Sequence, residues 1–391
     1  MSTVNYDSYV NDACAHFKKL LTEQLARVDK MRQDDSKTDF SVLSPIVIGV
    51  CGGDGIGPII TREAARVLRF LLKDETAAGR VAFRNIEGLT IENRLAQNKA
   101  IPDDVLAELK KCHVILKGPT ATPNAATDKK DLESANVAMR RELDLYANVR
   151  PVSIPELGID WTFFRENTEG EYVLGSRGFD IPETLAFDFK VTTDPGTRRI
   201  ARAAFEFAKK NGKTRVAIVT KANIMKKTDG KFSAICHEVA KDYPGIEVQE
   251  WYIDIMTANL VNEAIRADFQ VFVLPNLYGD IITDEAAQIQ GGVGTAGSAN
   301  TGDRYAMFEA IHGSAPRMIE QGIGEYANPA SILKAAELLL RHIGYADKAD
   351  ILARAMEVCT RTDKKVVVTG DRDGATCAQF ADYLMETLAG M

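Results

Sequence analysis

No two cysteines in this chain stand at metal-binding or redox spacing. Cys14, Cys51, Cys112, Cys236, Cys359 and Cys377 are scattered, without a CxxC pair. That excludes a sequence-local zinc site or disulfide frame and fits reduced thiols in a reducing compartment. The five histidines are scattered too and form no HExxH, so a histidine-based metal helix is not expected. No apolar run approaches the ~18 residues of a membrane span. The N-terminus lacks the basic and apolar regions of a signal peptide, and Asp7 and Asp12 are unlike an Arg-rich transit peptide. A net charge of −7 argues against nucleic acid as the main partner. There is no internal repeat and no GxGxxG. The expectation is a cytoplasmic protein that touches neither membrane nor nucleic acid.

What is present is an α/β alternation in a chain of 391 residues, long enough for two domains. Apolar residues from Val10 to Met31 recur at helical spacing, and a polar linker follows. This added helix is expected to pack on the main body or a partner subunit. Pro45–Cys51 reads as a buried strand entering Gly52-Gly53-Asp54-Gly55-Ile56-Gly57-Pro58, and a helix follows from about Ile60. A glycine turn ahead of a helix can offer N–H groups to an anion, although alone it is weak evidence for a dinucleotide. Further strands are expected at Val81–Asn85, Cys112–Leu116 and Arg215–Thr220, the last delivering Lys221 at its end. In open α/β sheets ligands gather outside the carboxyl ends of strands. Another strand runs to an acid, Asp254. Gly175 to Glu183 read as a turn-rich arm. His342 is expected to be a core or helix-end residue.

The chain is organised around Asn276-Leu-Tyr-Gly-Asp-Ile-Ile-Thr-Asp-Glu285. A buried strand (FQVFVL) precedes it, and a helix is expected from Asp284. Asp280 and Asp284, four residues apart, then share one face near the helix start. Two oxygen ligands with open positions suit a hard divalent cation; alternatively, Asp280 caps the helix. Upstream, Arg140, Arg150 and Arg165 gather with Ser134 and Asn136. Clustered guanidiniums suit a substrate with several carboxylates, unless each pairs with a local acid such as Glu142, Glu166 or Glu169.

These stretches together resemble the metal-dependent, decarboxylating isocitrate and 3-isopropylmalate dehydrogenases. NLYGDIITDEAA, GGVGTAGSAN, FEAIHGSAP, GDGIGP, LKGP and ELDLYANVRP occur, and the resemblance runs from about Pro45 to the C-terminus. It implies a non-Rossmann α/β fold of two domains with a cleft between them. A helical extension would occupy 1–44, a discontinuous cofactor domain 45–145 and 291–391, and a substrate and dimerisation domain 146–290, with an arm near 172–190. Asp280 and Asp284 match metal ligands for Mg²⁺ or Mn²⁺, and Asp254 a third from the neighbouring subunit. Lys221, also contributed by the partner, and Tyr172 match catalytic residues, so the resemblance implies a homodimer with shared active sites. Arg140, Arg150 and Arg165 match the substrate clamp, with Lys117 and Thr122 lining the pocket. His312, Gly313, Ser314, Ala315, Arg317, Asn328 and Glu309 match the cofactor side.

The polar pair Ser134 and Asn136 resembles the isocitrate enzymes, where it meets a third carboxylate; an isopropylmalate enzyme would place apolar residues there. A tricarboxylate, isocitrate, is therefore expected, with homoisocitrate or 3-isopropylmalate as alternatives. Gly370 and Gly374, standing where NADP-using relatives carry Tyr and Arg, favour NAD. Arg317 keeps NADP open: it could hold a 2′-phosphate or pair with Glu320 or Glu325. A reading of another class, a non-catalytic regulatory subunit, predicts loss of a metal aspartate, the tyrosine or the lysine, and all are present.

Overall fold

The computed structural model describes residues 6–33, 37–122, 132–175, 177–292 and 296–391. Part of the polar segment after Thr120 (123–131) and of the glycine-rich run (293–295) lies outside these. Among the described residues the chain forms strands β1 (Ile46–Cys51), β2 (Val81–Ile86), β3 (Val114–Lys117), β4 (Ala147–Ile154), β5 (Ile159–Glu166), β6 (Phe179–Ile181), β7 (Leu185–Phe187), β8 (Arg215–Thr220), β9 (Glu247–Tyr252), β10 (Val271–Leu274), β11 (Gly297–Thr301) and β12 (Ala306–Ala310). Ten join one sheet in the order β2-β1-β3-β12-β11-β4-β5-β10-β8-β9, and β6 and β7 form a separate hairpin in the expected arm.

The sheet has two parallel wings and an antiparallel centre. β2, β1, β3 and β12 run parallel, as do β5, β10, β8 and β9; β12–β11, β11–β4 and β4–β5 are antiparallel. The wings read as apolar runs because both faces are covered. In β10, Val271 and Val273 face one core while Phe272 and Leu274 face another. In the other wing Ile48 and Leu116 face one core, Cys51 and Ile115 the opposite one.

The centre is built differently. β4 and β11 carry buried polar side chains: Asn148 donates to Ser298 Oγ at 2.7 Å and to Asn300 Oδ1 at 2.8 Å. Asn167 donates to Asn300 Oδ1 at 3.0 Å, and Asn300 donates to Glu309 Oε1 at 2.8 Å. Pairing of this kind lets polar groups sit in a sheet interior.

The glycines of the GDGIGP turn serve chain crossing. Asp54 N–H donates to Pro119 O (2.8 Å) and Ile56 N–H to Ser314 O (3.0 Å), so those donors are taken by protein carbonyls and not offered to an anion. A Cβ at Gly53, where φ is +72°, would collide with Pro119 O. Asp54 then accepts from Ile91 N and Ala121 N, each at 2.7 Å.

The added helix α1 (Asp7–Gln33) does pack on the main body. Of its residues only Leu20 is buried, whereas Val10, Phe17, Leu21 and Leu25 remain exposed. His342, the last residue of the Ala330–His342 helix, packs half-buried between Phe40 and Phe308. Burial holds its imidazole down at about 4. Among the described residues no helix is long and apolar enough to cross a membrane.

Candidate active site

The helix after β10 begins earlier than its sequence suggests. It spans Asn276–Gln290, with Pro275 at the N-cap. Asp280 and Asp284 therefore lie inside the helix, one turn apart, and the reading of Asp280 as a cap falls away. Gly279, within that helix, is there for a packing reason. A Cβ at Gly279 would sit 2.6 Å from Cγ of Arg165, so only glycine lets that arginine lie along the helix.

Arg165, at the end of β5, is 1% exposed. Its Nε and Nη2 donate to Asn276 Oδ1 at 2.9 and 2.7 Å, and its Nη1 donates to Asp280 Oδ1. Burial, aided by the like charge of Arg140, pulls the guanidinium down to about 10; it is still a cation at neutral pH. Arg150, on β4, donates through Nη1 to Asp284 Oδ1 (2.8 Å) and Thr283 Oγ1 (2.7 Å). Arg140 comes from the Ala135–Glu142 helix and reaches Glu309 Oε1 at 3.3 Å. The Nε atoms of Arg140 and Arg150 are buried without a hydrogen-bond partner.

Tyr172 donates its hydroxyl to Asp280 Oδ2 at 2.6 Å, with Arg165 over its ring. Burial and that carboxylate push the phenol up to about 12, so it keeps its proton at neutral pH. For Asp280, burial works toward a higher value. Arg165, the Tyr172 hydroxyl, Arg150 and Arg140 outweigh it and hold the carboxyl below its ordinary range.

Lys117, fully buried at the end of β3, donates to Gly118 O (2.9 Å) and Glu309 Oε2 (3.2 Å). Glu309, expected on the cofactor side, is placed between Lys117 and Arg140. Burial would raise its pKa, but those two cations and Asn300 bring it down to about 2. On the Arg140 helix, Asn136 Oδ1 accepts from Thr120 Oγ1 at 3.0 Å, which leaves its amide nitrogen without a partner among the described residues. Ser134 holds the N-cap position without a side-chain cap bond, and Thr122 is exposed.

Two predicted residues stand apart from this cluster. Lys221 follows β8 and Asp254 lies in the first turn of the Ile253–Leu260 helix after β9, not at a strand end. They pair with each other, Lys221 Nζ donating to Asp254 Oδ1 at 2.6 Å, with Asp254 64% exposed. Among the described residues no three His, Cys, Asp or Glu side chains stand together as a metal site. The chain thus brings together two of the three predicted metal acids. Their hard oxygens and one-turn spacing fit Mg²⁺ or Mn²⁺, with a further donor needed from outside the cluster. Neighbouring exposed apolar residues are Ile224, Tyr252, Ile255 and Ile281.

On the cofactor side, Ser314 O is held by Ile56 N–H, and Ala315, at φ +45°, starts the Pro316–Glu320 helix. His312 Nδ1 donates to Gly313 O (3.0 Å), and Asn328 Oδ1 accepts from Ala330 N (2.9 Å). Glu325 pairs with Arg62 at 3.6 Å, leaving Arg317 without an ion-pair partner among the described residues. Arg372 donates to Gln321 O in the same loop at 3.3 Å.

Sequence reasoning missed Asn276, which fixes Arg165, and the Lys190–Asp229 pair. Lys190 Nζ reaches Asp229 Oδ1 at 2.6 Å, and Asp229 Oδ2 accepts from Lys221 N at 2.8 Å. Asn276 stands inside the organising stretch, where a polar residue straight after a buried strand was the available signal. Nothing local joins Lys190 to Asp229.

Comparison with known proteins gives the family and the fold. The family model of isocitrate/isopropylmalate dehydrogenases matches residues 47–384. An isocitrate dehydrogenase [NADP] of Rickettsia prowazekii is 38% identical over 81% of this chain, and the chain spans 63% of that protein's length. A 3-isopropylmalate dehydrogenase of Archaeoglobus fulgidus is 38% identical, covering 81% of this chain and 92% of its own. The crystal structure of isocitrate dehydrogenase from Methylococcus capsulatus superposes with a TM-score of 0.75 at 33% identity, covering 88% of this chain and 99% of that one. The chain belongs to the isocitrate/isopropylmalate dehydrogenase family.

Proposed function

We propose that this protein oxidatively decarboxylates isocitrate to 2-oxoglutarate and CO₂, passing hydride to NAD, as a homodimer with shared active sites. The observation that carries the reading is the convergence of Arg140, Arg150 and Arg165, two of them with buried Nε–H groups lacking an acceptor. Buried guanidiniums with donors to spare call for carboxylates. Asn136 and Ser134, polar where an isopropyl group would need apolar walls, favour a third carboxylate, since an unmatched polar group in a pocket costs several kcal/mol, roughly.

Asp280, Asp284 and Asp254 of a second copy would hold Mg²⁺ or Mn²⁺, which when bound supplies Lewis-acid polarisation of the substrate's oxygens. His312 to Ala315 and Asn328 would hold the adenosine end of the nicotinamide cofactor, which supplies the hydride acceptor. Arg140, Arg150 and Arg165 orient the substrate. Lys221 of a second copy, with its neighbouring acid, assists removal of the hydroxyl proton. Tyr172, kept protonated by burial and Asp280, donates a proton to carbon after CO₂ departs.

NADP is the second reading. It is favoured by Arg317, which has no ion-pair partner among the described residues, and by Arg372, which reaches the same loop through Gln321 O; against it stand Gly370 and Gly374. Initial rates with isocitrate, homoisocitrate and 3-isopropylmalate, each with NAD and NADP and with Mg²⁺ or EDTA, test all of this. Turnover of isocitrate that EDTA abolishes is expected. A higher kcat/KM with either other acid would replace the substrate, and a dead homomer under every condition would sink the enzymatic reading.

A further inference from the structure

Helix α1 lies before the family match, which begins at residue 47, and it reaches the segment that carries Tyr172. Its attachment is mostly polar, since Leu20 alone among its residues is buried. Arg27 Nη2 donates to Glu169 Oε1 at 2.6 Å, and its Nη1 points to Thr168 O at 3.5 Å. Farther toward the N-terminus, Glu23 pairs with Arg177 at 2.6 Å, His16 donates to Arg177 O at 2.9 Å, and Phe17 stacks on Phe189. The helix therefore grips the chain on both sides of Tyr172.

Glu169 is not an ordinary surface partner. It is 3% exposed, its carboxylate also accepts from Thr193 N (2.8 Å) and Thr193 Oγ, and a Cβ at Gly196 would collide with it. Glu166, likewise buried, lies beside it and accepts from Glu169 N at 2.6 Å. Burial, together with the charge of Glu169, pushes the Glu166 carboxyl up. Two acids packed together out of water need cations. Arg199 faces the pair from the Asp194–Lys210 helix and is shared with Asp144; Arg27 is the cation that α1 brings.

From Glu169 the contacts run straight to the site. Its carbonyl accepts from Asn276 Nδ2 at 3.0 Å, Asn276 Oδ1 takes two bonds from Arg165, and Arg165 and Tyr172 both bind Asp280. We propose that α1, through Arg27, positions the Glu169–Tyr172 segment and so sets where the Tyr172 hydroxyl meets Asp280. Arg27 is thus a positioning residue for the site, contributed by a segment outside the residues that the family model matches. The catalytic consequence rests on the function proposed above; the ordering of the segment does not.

The test compares wild type with Arg27→Met, Arg27→Gln and the conservative Arg27→Lys in the full chain. Hydrogen exchange is read on peptides covering 167–173 and, as a control, on β8 and β10. Loss of a charge-assisted bond to a buried acid should speed exchange about tenfold or more in 167–173 alone for Met and Gln, with Lys restoring most of the protection. With the substrate that wild type turns over, kcat should fall about tenfold while KM stays within about twofold, again rescued by Lys. Unchanged exchange at 167–173 overturns the proposal, as does an increase spread equally over β8 and β10. So does a rise in KM with kcat intact. If wild type turns over none of the three acids, the function reading fails, and the exchange arm alone still decides this one. If Arg27→Met does not fold, Arg27→Gln, which keeps a donor at that position, carries the same comparison.

Discussion

Arg165 with Asp280 and Lys221 with Asp254 are both cation–acid pairs at or just past the carboxyl ends of strands in one parallel wing, yet they are built in opposite ways. Arg165 is buried, is braced by Asn276, and shares Asp280 with Tyr172 and, at 3.9 Å, Arg150. Lys221 and Asp254 hold each other at the surface, with Asp254 64% exposed. A surface pair of that kind contributes little to holding the fold. The buried cluster is a preorganised pocket wall with cationic donors to spare; the exposed pair is displayed toward whatever covers it, and a second copy of the chain is the occupant proposed above.

The largest effect should come from the buried side. Asp280→Asn removes the acid that anchors Arg165 and Tyr172 and one of two candidate metal oxygens. It should cut kcat/KM about 10³-fold or more while leaving a folded protein, read by steady-state rates and circular dichroism. A rate within tenfold of wild type would detach Asp280 from the chemistry.

The exposed side should be weaker but more informative. Lys221→Met should slow turnover about 100-fold or more by losing the group that, with its neighbouring acid, assists removal of the hydroxyl proton. Mixing unfolded Asp280→Asn and Lys221→Met chains and refolding them together then separates the two arrangements. If sites are shared across a two-fold axis, half the dimers are hybrids with one intact site each, and about a quarter of wild-type activity returns. If both residues serve one chain's own site, the mixture stays as inactive as its components.

What the sequence revealed divides along the same lines. The parallel wings were legible because FQVFVL, RVAIVT and CHVIL are bare apolar runs, and they form β10, β8 and β3. The antiparallel centre was not. ANVRPVSI and GSANT carry no plain apolar run, because Asn148, Ser298 and Asn300 point into a hydrogen-bonded interior and mask the strand signal. Within the site, residue type and spacing offered the arginine cluster and the acid pair only as candidates beside local ion pairing and helix capping, and the family resemblance supplied their expected roles. The helix start at Asn276 could not be read off, because the need for Gly279 within a helix shows only where Arg165 lies against it. The pairing of Lys221 with Asp254 in the monomer, and of Arg27 with Glu169, joins residues far apart in the chain, and no local pattern encodes either.

The smallest and most quantitative contrast is in stability against pH. Glu309 sits between Lys117 and Arg140, and those cations with Asn300 override its burial and bring its pKa to about 2, below the ordinary 4.5. A carboxyl depressed in the folded state contributes stability that is full above the unfolded value and is lost as pH falls through the folded one. Glu309→Gln leaves two buried cations without their acid, which should cost about 3–5 kcal/mol at neutral pH. Its deficit in urea unfolding should begin to close below about pH 4.5, as the unfolded wild-type chain takes up a proton at Glu309 that the folded one still refuses. Asp254 is also held low, by the Lys221 bond, but water screens it. Asp254→Asn should therefore leave the urea midpoint where wild type has it at pH 7 and at pH 4. If Asp254→Asn instead shifted the midpoint as much as Glu309→Gln, the exposed pair would be part of the fold's own support, and its assignment to a neighbouring copy's site would lose its physical basis.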